Sequence, residues 1–348
     1  MHRDFFLGAN SGVGFRSFYD EFCCGDGDFL YLIKAGPGGG KSGFMRKIGE
    51  KAEECGFDVE YILCSGDPDS LDGVYIPKLG LGFSDATAPH AAEPPCFGYD
   101  SSYVNLGRFC GKVCDNEIKT HQAVYRAYYA RAYSLLSAAA ELKKARFPQL
   151  ISEKELQKCT DRAKSAVNKE LGNKRKGRAG TVKHRFISAI SCKGEIVLTG
   201  SLLELCKHIY LLDDRFGLAS YYLETIIAEA KTRGADMIVC PSPLLPDTPE
   251  AVIFPESSLG FVSASLMPDE KPYRHVRLDA LIPDNRVRSV RPELRRAEKI
   301  YRALMDDAVL NLAHAKEHHD RLEAVYKPCV DFAALTQYTD EVIKTVFG

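Results

Sequence analysis

An internal duplication is the feature of the sequence that most constrains its fold. When the 348-residue chain is aligned with itself at an offset of 178 positions, residues 42–86 match residues 220–264 without a gap, and 13 of the 45 pairs are identical. Ordinary residue usage gives about three identities by chance. The offset is much longer than the roughly 20–50 residues of solenoid or propeller repeats. It therefore predicts two copies of a whole domain.

Composition limits the classes of partner. The 46 Lys and Arg residues balance 47 Asp and Glu residues, so overall charge gives no reason to expect nucleic acid or a membrane as the main partner. The twelve cysteines are scattered, without a Cys-x-x-Cys pair or zinc-ligand spacing, which is typical of reduced cytosolic thiols. The first residues lack a signal-peptide pattern, and no apolar run approaches the ~20 residues of a membrane helix. We therefore expect a cytoplasmic protein.

Both halves predict one plan, a three-layer α/β domain with a parallel sheet followed by a helical appendage. In the first half, an apolar run at residues 29–33 predicts a buried strand, and a glycine-rich loop follows it. Helical spacing at residues 43–54 precedes further strands at 57–64 and 80–85. This order indicates parallel pairing. The predicted boundaries are residues 1–115 for the first domain, 116–170 for its helical appendage, 171–185 for a basic linker, 186–285 for the second domain and 286–348 for the C-terminal appendage.

The glycine-rich loop carries the main functional signal. Ala35-Gly-Pro-Gly-Gly-Gly-Lys41-Ser42 matches the phosphate-binding loop (P-loop) pattern, with Ala at the position of the usual first Gly. Small residues let backbone N–H groups form an anion nest, and the following helix adds the positive end of its dipole. We expect Lys41 to contact the β- and γ-phosphates and Ser42 to bind Mg²⁺. The predicted nucleotide-binding set is Gly36, Gly38, Gly39, Gly40, Lys41 and Ser42. A flexible glycine turn is the alternative.

Three motifs together resemble a known family. The P-loop, the segment Cys64-Ser-Gly-Asp-Pro-Asp-Ser-Leu-Asp-Gly73 and the segment Asp85-Ala-Thr-Ala-Pro-His90 resemble a poorly characterised bacterial family of tandem P-loop ATPases, sometimes labelled nucleotide-kinase-like. The resemblance covers nearly the whole chain and agrees with the duplication. It implies ATP binding and hydrolysis. Gly39 departs from the family pattern, in which Thr is common at this position.

The second copy of the loop lacks the residues that we expect to bind phosphate in the first. Comparison of the two copies therefore separates residues kept for the fold from residues that serve binding. At the offset of 178, the aligned replacements are Gly40 to Leu218, Lys41 to Ala219, Asp85 to Ser263, and Ala35 and Gly36 to Asp213 and Asp214. The two acids repel phosphate, the lysine charge is missing, and a leucine fills a close-approach glycine position. We therefore predict an active N-terminal site and a nonbinding C-terminal copy with a regulatory or structural role. The expected stoichiometry is one nucleotide per chain.

Acidic residues after the predicted strands are the candidate catalytic groups. Asp85 ends a strand, where a Walker-B-type carboxylate orients Mg²⁺ through a coordinated water; a simple loop cap is the alternative. Asp67 is a candidate for positioning the attacking water or a substrate hydroxyl, and Asp72 lies in the same loop. Asp69 persists in the second copy as Asp247, which favours a turn or capping role.

Other side chains leave alternatives open. His90 either contacts the γ-phosphate or is a solvated loop residue. Arg46 and Arg108 are candidates for the positive charge that stabilises the transition state, and their spacing favours neither. The predicted catalytic set is Lys41, Asp67 and Asp85, and the predicted metal-binding pair is Ser42 and Asp85.

For two basic clusters and the last helices, the sequence favours a structural role over a binding site. Residues 171–185 contain no acid and several glycines, which favours a solvated linker over a nucleic-acid site. The arginines between residues 286 and 296 favour a charged helix entry, although the two clusters together could form a polyanion surface. Apolar spacing in the final helices predicts a hairpin packed on its own domain.

Three functions fit these observations. The first is a Mg²⁺-dependent ATPase. The second is a nucleotide or small-molecule kinase that holds its acceptor with the Asp67 and Asp72 loop. The third is a nonenzymatic protein whose interactions are controlled by nucleotide. The sequence names neither an acceptor nor a protein partner.

Overall fold

The computed structural model describes residues 2–87, 96–114, 117–145, 150–172, 179–267 and 271–348. His90 and residues 173–178 of the basic stretch lie outside this part. In the first half the strands are β1 His2–Phe6, β2 Gly8–Ser11, β3 Gly14–Ser17, β4 Phe29–Lys34, β5 Val59–Leu63, β6 Leu71–Ile76, β7 Leu81–Asp85 and β8 Ser101–Asn105. The α-helices there are α1 Lys41–Glu54, α2 Ile118–Lys144 and α3 Glu153–Glu170.

The second half repeats this arrangement. Its strands are β9 Val182–His184, β10 Ser188–Ser191, β11 Gly194–Val197, β12 His208–Leu212, β13 Met237–Pro241, β14 Pro249–Phe254, β15 Leu259–Ser263 and β16 Arg274–Val276. Its α-helices are α4 Thr199–Leu205, α5 Leu218–Thr232, α6 Asp284–Ser289, α7 Arg291–Tyr326 and α8 Phe332–Phe347. Strands β13, β14 and β15 start 178 residues after β5, β6 and β7, which is the offset found in the sequence.

Two six-stranded sheets flanked by helices form two tandem α/β domains. The strand order is β1-β5-β6-β7-β4-β8 in the first sheet, and β9-β13-β14-β15-β12-β16 is the matching order in the second. The prediction of purely parallel sheets is wrong, because β6 and β14 run antiparallel to both neighbours. The connections on either side of β6, residues 64–70 and 77–80, are too short for the crossover that parallel neighbours need.

The predicted strand, glycine loop and helix are confirmed in the first domain. Strand β4 buries Leu32 and Ile33, and α1 buries an apolar face that includes Phe44 and Ile48. The helix is followed by Gly56, whose φ of +80° suits glycine at a helix C-terminus. This arrangement fixes the glycine loop at the carboxyl end of β4.

The two domains share an apolar core around β1 and the start of the second half. Phe6 and Phe186 exchange backbone hydrogen bonds of 2.9 and 2.8 Å, and both side chains are buried in one apolar cluster. Residues 182–184, at the end of the basic stretch, form β9 and pair with β13. The last part of that stretch therefore belongs to the second sheet.

The helical appendages cross between the halves. Helix α3 packs on α5 of the second domain, whereas α8 packs on α1 of the first, where Leu335 and Tyr338 join the cluster of Phe44. Helices α2 and α7 pack antiparallel, since His121 contacts His318 and Tyr128 contacts His314. The prediction that the final helices pack on their own domain is wrong. No helix among the described residues combines the length and apolarity needed to cross a membrane.

Candidate functional site

The glycine loop is shaped by two left-handed backbone positions. Gly38 has φ +64°, and Gly40, the N-cap of α1, has φ +82°. Residues other than glycine rarely adopt this left-handed backbone conformation. Between them, the Gly39 N–H donates to the Gly36 carbonyl at 3.2 Å. The loop therefore turns directly into the N-terminus of α1, where unpaired backbone N–H groups and the helix dipole favour an anion.

The first residue of α1 directs its ammonium back toward the loop. Lys41 Nζ donates to the carbonyls of Ala35 and Gly36 at 3.3 Å and lies 3.6 Å from Asp85 Oδ2. Asp85 reaches this point because β7 runs parallel to β4, with Asp85 beside Ile33 at the carboxyl edge of the sheet. The predicted pair of Lys41 and Asp85 is thus brought together by the sheet register.

Ser42 and Asp85 supply oxygen atoms to the same cavity. Asp85 Oδ1 accepts hydrogen bonds from Thr87 N at 2.8 Å and Thr87 Oγ1 at 2.6 Å, which fix its carboxylate. Ser42 Oγ accepts from Leu71 N at 3.0 Å. One hydroxyl and one carboxylate form an oxygen-only donor set, which suits Mg²⁺ when phosphates and water complete its shell. Within the described ranges, no group of three His, Cys, Asp or Glu side chains is placed to hold a metal.

The loop after β5 and the start of β6 bring acids to different positions, and the prediction that Asp72 lies in the loop is wrong because it belongs to β6. Asp67 lines the cavity, where its Oδ2 accepts from Ser70 Oγ at 3.1 Å and lies 3.4 Å from Lys316 Nζ of α7. Asp72 also lines the cavity but is buried. The Tyr19 hydroxyl donates to Asp72 at 3.0 Å, and burial together with this carboxylate raises the pKa of Tyr19.

Asp69 lies outside the cavity. Its exposed carboxylate pairs with Lys193 in the hairpin of β10 and β11, so it connects the two halves. The prediction of a turn or capping residue missed this pairing, because the partner lies 124 positions away.

The cavity has a volume of about 500 Å³, and its far wall comes from α2, α7 and the start of α8. Arg126 lies in this wall, as do Gln122, Tyr125, His319, Glu323, Lys327 and Phe332. Burial lowers the pKa of His319, which favours a neutral imidazole. Sequence reasoning missed the whole wall. The signal in the sequence was the spacing of Gln122 and Arg126. These residues are four positions apart, which places both on one face of a helix.

The two arginines singled out in the sequence serve other contacts. Arg46 Nη2 donates to the Asp69 carbonyl at 3.0 Å, and the Arg108 guanidinium stacks on the Tyr338 ring at 4.2 Å. Neither lines the cavity. Arg126 is the arginine among the residues that line it.

The C-terminal helices also pack directly against the loop glycines. A Cβ at Gly36 would lie 3.1 Å from Tyr326, one at Gly38 would lie 3.1 Å from Lys327, and one at Gly40 would lie 3.2 Å from Leu335. Such distances are tighter than ordinary contacts. A side chain at any of these three positions would therefore require its neighbour in the C-terminal helical segment to move by a few tenths of an ångström.

In the second half, a carboxylate occupies the corresponding helix N-terminus. Asp214 Oδ1 accepts from Ala219 N at 3.2 Å, and burial raises the pKa of Asp214 to about 6. Asp213 pairs with His275 at 2.6 Å. The predicted replacement of Gly40 by Leu218 is wrong, because Gly217 has φ +81° and caps α5 as Gly40 caps α1. The helix begins one residue early relative to the offset of 178, and buried Leu218 follows the glycine.

Comparison with known proteins gives no match, whether to a family model, to a curated protein or to a solved structure.

Proposed function

We propose that the chain is a cytoplasmic Mg²⁺-dependent ATPase whose reaction takes place at the N-terminal glycine loop. The observation that carries this proposal is the convergence of Lys41 Nζ, Asp85 and the loop carbonyls at distances of 3.3–3.6 Å. They meet at the N-terminus of α1, beside a cavity of about 500 Å³. A positive helix end, a lysine and an oxygen-donor pair are what a triphosphate with Mg²⁺ requires.

Each loop residue has a defined task in this proposal. The backbone N–H groups of the loop bind phosphate oxygens, and Lys41 exchanges its carbonyl partners for the β- and γ-phosphates. Ser42 and Asp85 would hold Mg²⁺ through their oxygen atoms. The metal, when bound, neutralises charge that develops on the phosphate oxygens.

Hydrolysis requires a positioned water and a positive charge at the γ-phosphate. Asp67 accepts a hydrogen bond from the attacking water, whose oxygen bonds to the γ-phosphorus as the bond to the ADP oxygen breaks. One proton of the water passes through Asp67 to solvent, and the other stays on the released phosphate. The ion pair of Asp67 with Lys316 holds this carboxylate at the cavity wall. Arg126 supplies the positive charge from the opposite wall of the cavity.

The second domain has a supporting or regulatory role in this proposal. Asp214 already fills the helix N-terminus that a phosphate would occupy, and uncharged Leu218 and Ala219 stand near the position of Lys41. These features support a single Mg²⁺·ATP site per chain. Membership of the tandem P-loop ATPase family, inferred from the three motifs, is part of the same proposal.

Phosphate release from ATP tests the proposal. The wild-type chain is expected to release phosphate only with Mg²⁺ present. Lys41→Ala removes a charge-assisted bond to phosphate of about 1.5–3 kcal/mol, so nucleotide affinity falls roughly 10- to 150-fold. Lys51→Ala is the matched control, because Lys51 lies on the same helix and forms an exposed pair with Glu54. Equal activity of the Lys41→Ala and wild-type proteins would overturn the proposal.

Two other outcomes lead to the alternative functions. Phosphate transfer that appears only with an added acceptor indicates a kinase that uses the Asp67 and Asp72 loop. Tight Mg²⁺·ATP binding without turnover, lost in Lys41→Ala, indicates a protein whose interactions are controlled by nucleotide.

A further inference from the structure

A second cavity, of about 830 Å³, lies in the C-terminal half, where the degenerate loop meets the first turns of α7. Its polar lining is dominated by cations. We name it the arginine groove, lined by Arg215, Arg291, Arg295, Lys299 and Arg302 together with one acid, Glu298. The proposed ATP site contains none of these residues.

The arginine groove occupies the position that corresponds to the ATP cavity. Helices α2 and α7 start at residues 118 and 291, which are 173 positions apart. Three lining positions match at this spacing: Gln122 with Arg295, Tyr125 with Glu298, and Arg126 with Lys299. On the loop side, Arg215 lies between β12 and the N-cap Gly217, as the glycine loop lies between β4 and Gly40. The duplicated cavity is thus retained, and the neutral helix position of Gln122 has become arginine.

Three cations that α7 contributes to the arginine groove have no acidic partner among the described residues. Arg302 Nε pairs with Glu298 at 2.9 Å, whereas no ion pair between described residues involves Arg291, Arg295 or Lys299. These three residues are spaced by four and so form one stripe along the helix. Like charges at this spacing destabilise a helix. The stripe also begins at the positive end of a 36-residue helix, which adds to the local positive potential.

We propose that the arginine groove binds a compact polyanion that carries several phosphate groups, without Mg²⁺. Guanidinium groups match phosphate oxygens in two-bond geometry, and a bound polyanion would relieve the repulsion within the stripe. Among the described residues, the groove lining includes no aromatic ring on which a nucleobase could stack. Its single acid is engaged by Arg302, so a metal has no free carboxylate there. Recognition therefore depends on the phosphates alone.

Calorimetric titration of the full chain with inorganic tripolyphosphate tests this proposal. The buffer contains EDTA and about 50 mM salt, because exposed charges are screened at higher ionic strength. One site per chain is expected. The double variant Arg291→Ala/Arg295→Ala should weaken binding at least about tenfold, since it removes charge-assisted bonds. Arg296→Ala is the matched control, because Arg296 is an exposed neighbour on the same helix outside the groove lining.

The outcomes separate this site from the proposed ATPase site. Retention of tripolyphosphate binding in Lys41→Ala supports the proposal, whether or not the chain hydrolyses ATP. Absence of binding, an equal loss in Arg296→Ala, or a loss in Lys41→Ala would overturn it. Preferential binding of duplex DNA, with the same arginine dependence, would also overturn it in favour of a nucleic-acid surface. Circular dichroism of each variant shows that α7 remains folded.

Discussion

The crossing of the last helix onto the first domain predicts a specific effect of Leu335→Ala. Leu335 is 6% exposed and packs in the cluster of Phe44 and against Gly40. Truncation to alanine removes three carbon atoms, at ~0.8 kcal/mol each. The cavity left behind adds to this loss. The expected decrease in the free energy of unfolding is therefore about 3 kcal/mol.

Urea denaturation followed by circular dichroism measures this loss, since the chain has no tryptophan. Leu310→Ala is the control, because Leu310 is 53% exposed on α7 and its truncation should change stability by less than about 0.5 kcal/mol. Amide hydrogen exchange locates the effect: in Leu335→Ala, exchange should accelerate in α1. Acceleration confined to α5, or a loss of stability no larger than that of the control, would refute the packing of α8 on the first domain.

Two further predictions concern charges at the two loops. Arg126→Ala should lower kcat for ATP hydrolysis roughly 10²–10³-fold with little change in nucleotide affinity, as measured by phosphate release and calorimetry; an unchanged kcat would exclude Arg126 from the reaction. Asp214→Asn should stabilise the protein at neutral pH. The pKa of Asp214 is raised from 3.8 to about 6, so the folded state holds the proton more tightly and loses stability as pH rises between these values. The shift corresponds to ~3 kcal/mol, which partial exposure of the side chain reduces to about 1–2 kcal/mol. Urea denaturation should show that the difference in free energy of unfolding between the variant and the wild type increases from pH 5 to pH 7.5. A constant difference would contradict the raised pKa of Asp214.

Local pattern was enough to predict the strand, loop and helix that hold Lys41. The apolar run of β4 and the buried face of α1 each lie within a short segment, so their spacing specifies them. The parallel register then brings Asp85 to Lys41. The sequence pattern does not predict strand β6 and places Asp72 in a loop, because turn residues precede this strand. The antiparallel direction of β6 follows from connection length rather than from its own sequence.

Long-range packing explains what the sequence did not predict. The apolar face of α8 indicates that the helix is buried, but not that its partner is α1, which lies almost 300 residues earlier. Arg126 was missed for the same reason, since only the antiparallel pairing of α2 with α7 closes the cavity around it. At Gly217, a shift of one residue at the helix start changed which residue caps α5, and a gapless alignment does not detect such a shift.

Calorimetric titration of the full chain with ATP and Mg²⁺ tests the central claim most directly. We expect one Mg²⁺-dependent site per chain, whose affinity Lys41→Ala lowers roughly 10- to 150-fold and Arg291→Ala/Arg295→Ala leaves unchanged. Two equivalent Mg²⁺-dependent sites, or undiminished binding in Lys41→Ala, would contradict the assignment of nucleotide binding to the N-terminal glycine loop.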